Sequence, residues 1–521
     1  MRQLLAAILI GLAGSACSAS GDGELTQGDE SETASPLEAR TLTLRPDVVL
    51  APSFAGFGAQ YNQNVFADVS KQDGVTEQNV GALEAKLDRL QPRYVRIFFD
   101  SGASADERAS FVRTVSMAQR TGATINVTYW HGPYQDPSAQ MNAFAQAIHG
   151  LFTKSGPPSS LDVTIQNEVN TTPCVTQELY AQLYVALDGE LRSVGDRAKV
   201  RFIGGDLLRG GISDDSPAAF SARLDRCKKE CGWTTSACAD KSQSNATTQE
   251  AWLNDFATRA VVGVPGASVL GDMFDGYSAH VYWDYWDRTK MVTRLDGIRA
   301  AVDALPARLR KPIYVTELGA RGDVSAVTSP GLFSAEHRAT DADGYAFLAS
   351  PGYPMADTYV EAFQTARFFV EALKRGVVAA ARWDAYDAHY HPDAGGNFSI
   401  LKQASTGWAA TPSYGVLQLV GESSLRGWSI VGVDGDAREG LIAAGLASGG
   451  GGRTIYVVDD TSAPQKLTLK GLPKSTAVRV LEWSRSEGTS RRARTEKTNA
   501  TGSIVVTVPL HSIVAVTTLG T

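Results

Sequence analysis

Residues 161–169, LDVTIQNEV, decide how the rest of the chain is read. Val163, Thr164 and Ile165 are β-branched, so the segment reads as a buried strand, and it ends on a polar pair, Asn167 and Glu168. A carboxylate at the mouth of a buried strand is costly unless it is paired or used. Its counterpart lies in residues 312–319, PIYVTELG, where another β-branched run ends on Glu317.

Working outward, strand-like segments occupy residues 54–61, 94–99, 123–130, 161–167, 200–205, 276–282, 313–317 and 377–383, each followed by a helix-period or loop segment. The first helix shows the spacing well, with Val80, Leu83, Leu87 and Leu90 on one face, and the second repeats it with Phe111, Val115 and Ala118. Later helices are legible at 140–152, 177–194, 249–262, 293–305 and 359–374. Eight βα units imply an α/β fold, a closed (β/α)8 TIM barrel over residues 41–409, whose site lies at the C-terminal ends of the strands.

From about residue 410 the helical period disappears. Short alternating runs remain at 441–446, 454–458, 466–469, 478–482, 502–508 and 512–517, separated by turns that include the glycines of 449–452. They predict a small antiparallel β-sandwich over 410–521. Residues 41–50 alternate like an edge strand and have no place inside the barrel, which makes them candidates for a strand of that sandwich.

A chain of 521 residues accommodates a barrel plus a smaller module, and 43% hydrophobic residues suffice for a full core. A net charge of -7 and a pI near 5.6, with no Lys/Arg-rich tract, argue against a nucleic-acid partner. Residues 1–17 read as a targeting segment: Arg2 opens it, and an apolar run over 4–12 is too short to span a bilayer. GSA before Cys17 resembles a bacterial lipoprotein lipobox, although Gly14 stands where the pattern usually has Leu. The resemblance implies a lipid on Cys17 as the sole membrane contact; ordinary signal cleavage with a secreted product is the alternative. Both put the protein outside the cytoplasm. Residues 18–40 are acidic and rich in Ser, Gly and Thr, as expected of a solvated tether.

The other four cysteines are Cys174, Cys227, Cys231 and Cys238, so disulfides are the expectation in an oxidising compartment, with three pairings open. A zinc site fits less well, because C-x3-C-x6-C lacks paired C-x2-C spacing and a nearby histidine. Two long connections follow strands five and seven, at about 206–245 and 320–357, and both are expected to wall a substrate groove. The first carries three of the cysteines. A bridge from Cys174 into it would pin two neighbouring loops.

Retaining glycoside hydrolysis needs one protonatable carboxyl on the leaving oxygen and one ionised carboxylate beneath the anomeric carbon, about 5 to 5.5 Å apart. The ends of strands four and seven can face each other across a barrel mouth, with Glu168 as acid/base and Glu317 as nucleophile. Either glutamate alone reads as a buried ion-pair partner; both together favour chemistry.

In its ordered motifs the chain resembles the clan A glycoside hydrolases, retaining (β/α)8 enzymes that include the family 5 cellulase type and the barrel-plus-sandwich families 30 and 39. Asn167-Glu168 stands where that family has Asn-Glu at the end of strand four, and Glu317 in VTELG where it has the strand-seven nucleophile. Arg96 in YVRIFFD matches the strand-two arginine, His131 the histidine past strand three, His280 and Tyr282 in SAHVYWD the strand-six pair, and Trp383 in AARWDAY the strand-eight tryptophan.

The resemblance implies hydrolysis of a β-linked glycoside or polysaccharide, a carbohydrate substrate and no cofactor. In physical terms, Arg96 would hold Glu317 ionised, Asn167 would donate to the sugar 2-hydroxyl, and Tyr282 would orient Glu317. His280 and His131 would line the subsite, and Trp383 would form the sugar platform. Two readings stand beside this one: a non-catalytic carbohydrate-binding lipoprotein on the same barrel, and a transglycosylase.

Trp283, Tyr285 and Trp286 are equally candidates for sugar stacking or loop packing. His389, His391 and Asp393 are spaced like metal ligands, but a solvated or sugar-contacting loop is the better expectation, and no metal site is predicted. No Walker loop, dinucleotide fingerprint, HExxH or GxSxG occurs.

Overall fold

The β-branched segments form the staves of a closed barrel in a computed structural model. They are β2 (Gly56–Tyr61), β3 (Tyr94–Asp100), β4 (Thr124–Trp130), β5 (Leu161–Ile165), β6 (Val200–Leu208), β7 (Gly276–Asp284), β8 (Ile313–Arg321) and β9 (Val377–Arg382). Each pairs in parallel with the next, and β9 returns to β2 through Gly56–Ala379 to Ala59–Arg382. The fourth stave is thus β5 and the seventh β8. The structure describes residues 40–520 except 131–135, 171, 173, 209–220, 222–223, 226, 230, 232–233, 239–248, 285–287, 322–357, 390–397 and 436–439. The targeting segment, the tether up to residue 39, much of the first long connection and nearly all of the second lie outside the described residues.

The helices follow the spacing that predicts them. Glu77–Leu90 buries Val80, Leu83, Leu87 and Leu90, and begins at a capping box in which Thr76 and Asn79 exchange side-chain and backbone bonds. Ser104 and Glu107 open the helix Ala105–Arg120 in the same way. The predicted helix at 359–374 appears as Tyr359–Lys374.

The second sheet has nine strands: β1 (Arg40–Ala51), β10 (Ser429–Asp434), β11 (Leu441–Ala447), β12 (Arg453–Asp459), β13 (Gln465–Lys470), β14 (Ala477–Trp483), β15 (Arg492–Lys497), β16 (Ile504–Val508) and β17 (Ser512–Thr517), in the order β15-β14-β17-β12-β11-β10-β1-β13-β16. The segment before the barrel therefore belongs to this sheet, antiparallel to β10 and parallel to β13. Its strands bury alternate residues on opposite faces. Ile442, Ala444, Tyr456 and Ile513 join the core continuous with the barrel, whereas Ala443, Val457 and Val514 close on Leu42 and Leu44 in a separate core.

One expectation is overturned here. Residues Pro412–Ser423, PSYGVLQLVGES, form a helix rather than the start of the sandwich. Covered by the barrel on one side and by the sheet on the other, it buries Tyr414, Val416, Leu417, Leu419 and Val420 and has no polar face to reveal a period. Its glycines allow that contact: a Cβ on Gly415 would meet Trp483, and one on Gly421 the Leu90 carbonyl. β10 and β15 also went unpredicted, and β15 is a polar edge strand, RARTEK.

Cys174 pairs with Cys231 and Cys227 with Cys238. The first bridge ties the segment after Glu168 to the insertion after β6, as anticipated. Among the described residues no helix is long and apolar enough to cross a membrane.

Candidate active site

The chain leaves β5 under backbone strain. Gln166 and Glu168 have φ of 66° and 47°, left-handed values that non-glycine residues rarely adopt. Such strain persists where the surroundings over-determine it, and it clusters at functional sites. Here Gln166 is locked by its amide bond to the Tyr129 carbonyl (2.8 Å) and by its side chain to Thr172. Asn167 and Glu168 between and beyond are half-buried at the barrel mouth.

Arg96, on β3, is completely buried, and all five of its N–H donors have acceptors. Nε donates to Thr128 (2.9 Å), Nη1 to Gln60 (2.8 Å) and Glu317 Oε1 (2.5 Å), and Nη2 to Asn167 Oδ1 (2.7 Å) and Asp206 Oδ2 (2.5 Å). Thr128 donates to Asn126 and Asn126 to Thr164, so a polar ladder ties β3 to β4 and β5 beneath the site. Because Asn167 accepts through Oδ1, its amide nitrogen remains a donor for a ligand.

Glu317 is 4% exposed, and Tyr282 donates to its Oε2 at 2.8 Å. A two-for-one irregularity in the β7–β8 pairing, where Ala279 opposes Val315 but His280 opposes Glu317, skips Thr316. Bulges of this kind re-aim side chains next to active sites.

His280 is fully buried, and its Nδ1 lies 3.1 Å from Glu168 Oε1 and 3.2 Å from Glu317 Oε2; its Nε2 lies 3.8 Å from Asp206 Oδ2. Burial alone would strip the imidazolium of its proton, but Glu317, Asp206 and Glu168 outweigh that and raise the pKa to about 9. One atom each of Glu168, His280 and Glu317 lie within 4.8 Å of one another, a spacing that also suits a metal ion. As they stand, the three side chains are joined to one another through His280 Nδ1, which lies within 3.2 Å of both carboxylates.

Arg96, read as the residue that holds Glu317 ionised, and His280, read as lining the subsite, are both fully buried, and both lie against the Glu317 carboxylate. Trp383 is half-buried at the mouth, its ring 6.0 Å from Phe98, which stacks on Trp130 at 5.0 Å. His131, Tyr285, Trp286, His391 and Asp393 lie outside the described residues. Trp283 is 1% exposed, stacks on Phe368 and donates to Gln364, so it packs the fold. His389 is exposed and sits 3.1 Å from Asp73.

Sequence reasoning missed Asp206 and Gln60. For Asp206 a signal existed: the double glycine Gly204-Gly205 just before it, at the end of a barrel strand, marks a bulge.

No protein-family model matches the sequence, and no curated protein is similar to it in sequence. Solved structures do match the fold. A GH30 endoxylanase from Clostridium papyrosolvens superposes with a TM-score of 0.56 at 10% identity, over 92% of this chain and 100% of that one. The catalytic domain of GH30 xylanase C from Talaromyces cellulolyticus gives 0.58 at 10% identity over 92% and 100%. An alpha-L-arabinofuranosidase from Thermotoga maritima gives 0.56 at 11% identity over the same shares. The chain thus has the fold of the clan A (β/α)8 glycoside hydrolases, a barrel with an accompanying β domain.

Proposed function

We propose that this protein is a retaining glycoside hydrolase that cleaves a β-linked glycoside or polysaccharide by double displacement. The observation that carries the reading is the approach of Glu168 and Glu317, with one carboxylate oxygen of each within 4.8 Å. Retaining enzymes hold their carboxyl groups about 5 to 5.5 Å apart, and inverting ones about 6.5 to 9.5 Å, to leave room for a water.

Glu317, gripped by Arg96 and Tyr282, attacks the anomeric carbon while Glu168 gives its proton to the leaving oxygen. Glu168 then takes a proton from water as the water attacks the glycosyl–Glu317 ester, which restores both residues. The Asn167 amide donates to the 2-hydroxyl, and Trp383 offers a face for the sugar ring. The targeting segment supports action outside the cytoplasm, with a lipid on Cys17 as the proposed anchor.

The test is a screen of aryl β-glycosides and polysaccharides, with xylans and arabinofuranosides included because the fold neighbours carry those activities in their names. The anomeric form of the first product is then read by proton NMR. Retention is expected, with loss of hydrolysis in Glu317→Gln and Glu168→Gln. An inverted first product, or two active variants, would sink the reading.

A further inference from the structure

A third carboxylate stands in this centre that neither displacement step consumes. Asp206 is fully buried on β6, at a point where Gly205 and Asp206 bulge out of the pairing with β7 and Asp206 takes a φ of 52°. Its amide donates to Ser278 Oγ (2.7 Å); its Oδ1 accepts from Ser278 (2.8 Å) and Thr316 (2.5 Å). Its Oδ2 accepts from Arg96 and faces His280 Nε2. Burial opposes its ionisation, yet Arg96, His280 and Thr316 hold it well below the usual carboxylate range.

Charge balance gives the group a task. Arg96 and His280 bring two positive charges into the buried part of the centre, where Glu317 supplies one negative; Glu168, the other glutamate that faces His280, is partly exposed at the mouth. A lone buried cation is costly, so without a second anion His280 would shed its proton. Asp206 is that anion. The groups that face His280 are Glu168 from the β5 end, Asp206 from β6 and Glu317 from β8, while Arg96 from β3 reaches two of the same carboxylates and Tyr282 shares its strand.

We propose that Asp206 is a positioning residue of this centre: it fixes Arg96 against Glu317 and, lying 3.8 Å from His280 Nε2 without a hydrogen bond to it, acts as the buried counter-charge that leaves Nδ1–H to serve Glu317 and Glu168 together. The effect on turnover rests on the hydrolase reading; the effect on His280 does not.

The experiment compares full-length wild type with Asp206→Asn, which keeps the shape and removes the charge. The His280 ring nitrogens are followed by NMR from pH 5 to 10, assigned by their absence in His280→Gln. In the wild type the ring stays protonated past pH 8. In Asp206→Asn the midpoint falls by at least about one unit, a tenfold change in acidity. On a glycoside that the wild type cleaves, kcat falls by about 100-fold, the scale of one lost acid–base arrangement, while KM changes less than threefold or so. A folded Asp206→Asn with an unmoved His280 titration overturns the proposal, whatever its turnover. If that variant does not fold, Asp206→Ser, shorter and uncharged, is titrated in its place, and the His280 midpoint must again fall. An unmoved midpoint there is equally fatal. If the wild type cleaves no glycoside, the functional reading fails alone, and the titration still decides the role of Asp206.

Discussion

Tyr282 donates its hydroxyl to Glu317 Oε2 at 2.8 Å from a position two residues beyond His280 on β7. With Oε1 taken by Arg96, the two bonds fix the plane of the carboxylate from both sides. A hydrogen bond to a charged group contributes about 1.5–3 kcal/mol, so Tyr282→Phe should lower kcat by roughly 10- to 100-fold. Phe fills the same volume, and thermal unfolding should change little. A kcat equal to wild type would mean that orientation of Glu317 does not depend on this hydroxyl.

Glu168 is the more exposed of the pair, its side chain 26% accessible, as suits a group that must meet both a leaving group and a water. Removal of this carboxyl in Glu168→Ala should abolish cleavage of glycosides with poor leaving groups. With an activated aryl glycoside the first step needs no acid, so the covalent intermediate accumulates. Azide fits the vacated space and should restore turnover, with a glycosyl azide of retained configuration as product. Absence of rescue by azide would put the acid/base on another residue.

Asp384, the residue after Trp383, is buried with Oδ1 accepting from Ser399 (2.6 Å) and Oδ2 without a partner among the described residues. Burial, with a contribution from Asp387, pushes its pKa from 3.8 up to about 8. The folded pKa is raised, so the stabilising contribution is fully present below pH 3.8 and is lost as pH rises towards 8. Asp384→Asn keeps the bond from Ser399 and removes the titration. It should melt higher than wild type at pH 8, by up to a few kcal/mol in stability, and no higher at pH 4. Thermal scans of both proteins at the two pH values check this; an equal gain at pH 4 would show that ionisation is not the cause.

The barrel was legible because its signals are local. Period-2 β-branched runs and the 3.6-period faces of Val80, Leu83, Leu87 and Leu90 need no knowledge of partners. Glu168 and Glu317 were legible for a related reason: each ends such a run on a residue that burial alone does not justify. What hid were features defined by contacts across the fold. The helix Pro412–Ser423 is buried on every side, so its period is masked, and Asp206 takes its meaning from Arg96 and His280, 110 and 74 positions away. A side chain's exposure was equally invisible, so the full burial of His280, read as lining the subsite, could not be foreseen.

Gly205 turns that hidden geometry into a test. It has a φ of 132°, and a Cβ placed on it would lie 2.1 Å from the Ser278 carbonyl oxygen. No L-residue with a side chain fits that combination without moving β6 away from β7. Because the next residue is Asp206, Gly205→Ala should displace the carboxylate from Arg96 and Thr316 before it disturbs the barrel as a whole. The expected result is a folded protein, with a far-UV spectrum like that of wild type, a lowered melting temperature and turnover reduced at least as far as in Asp206→Asn. Combined with Asp206→Asn, the second change should then add little in kcat, since residues that act through one contact are not additive. Full additivity of the two losses would mean that Gly205 serves the sheet and not the carboxylate it presents.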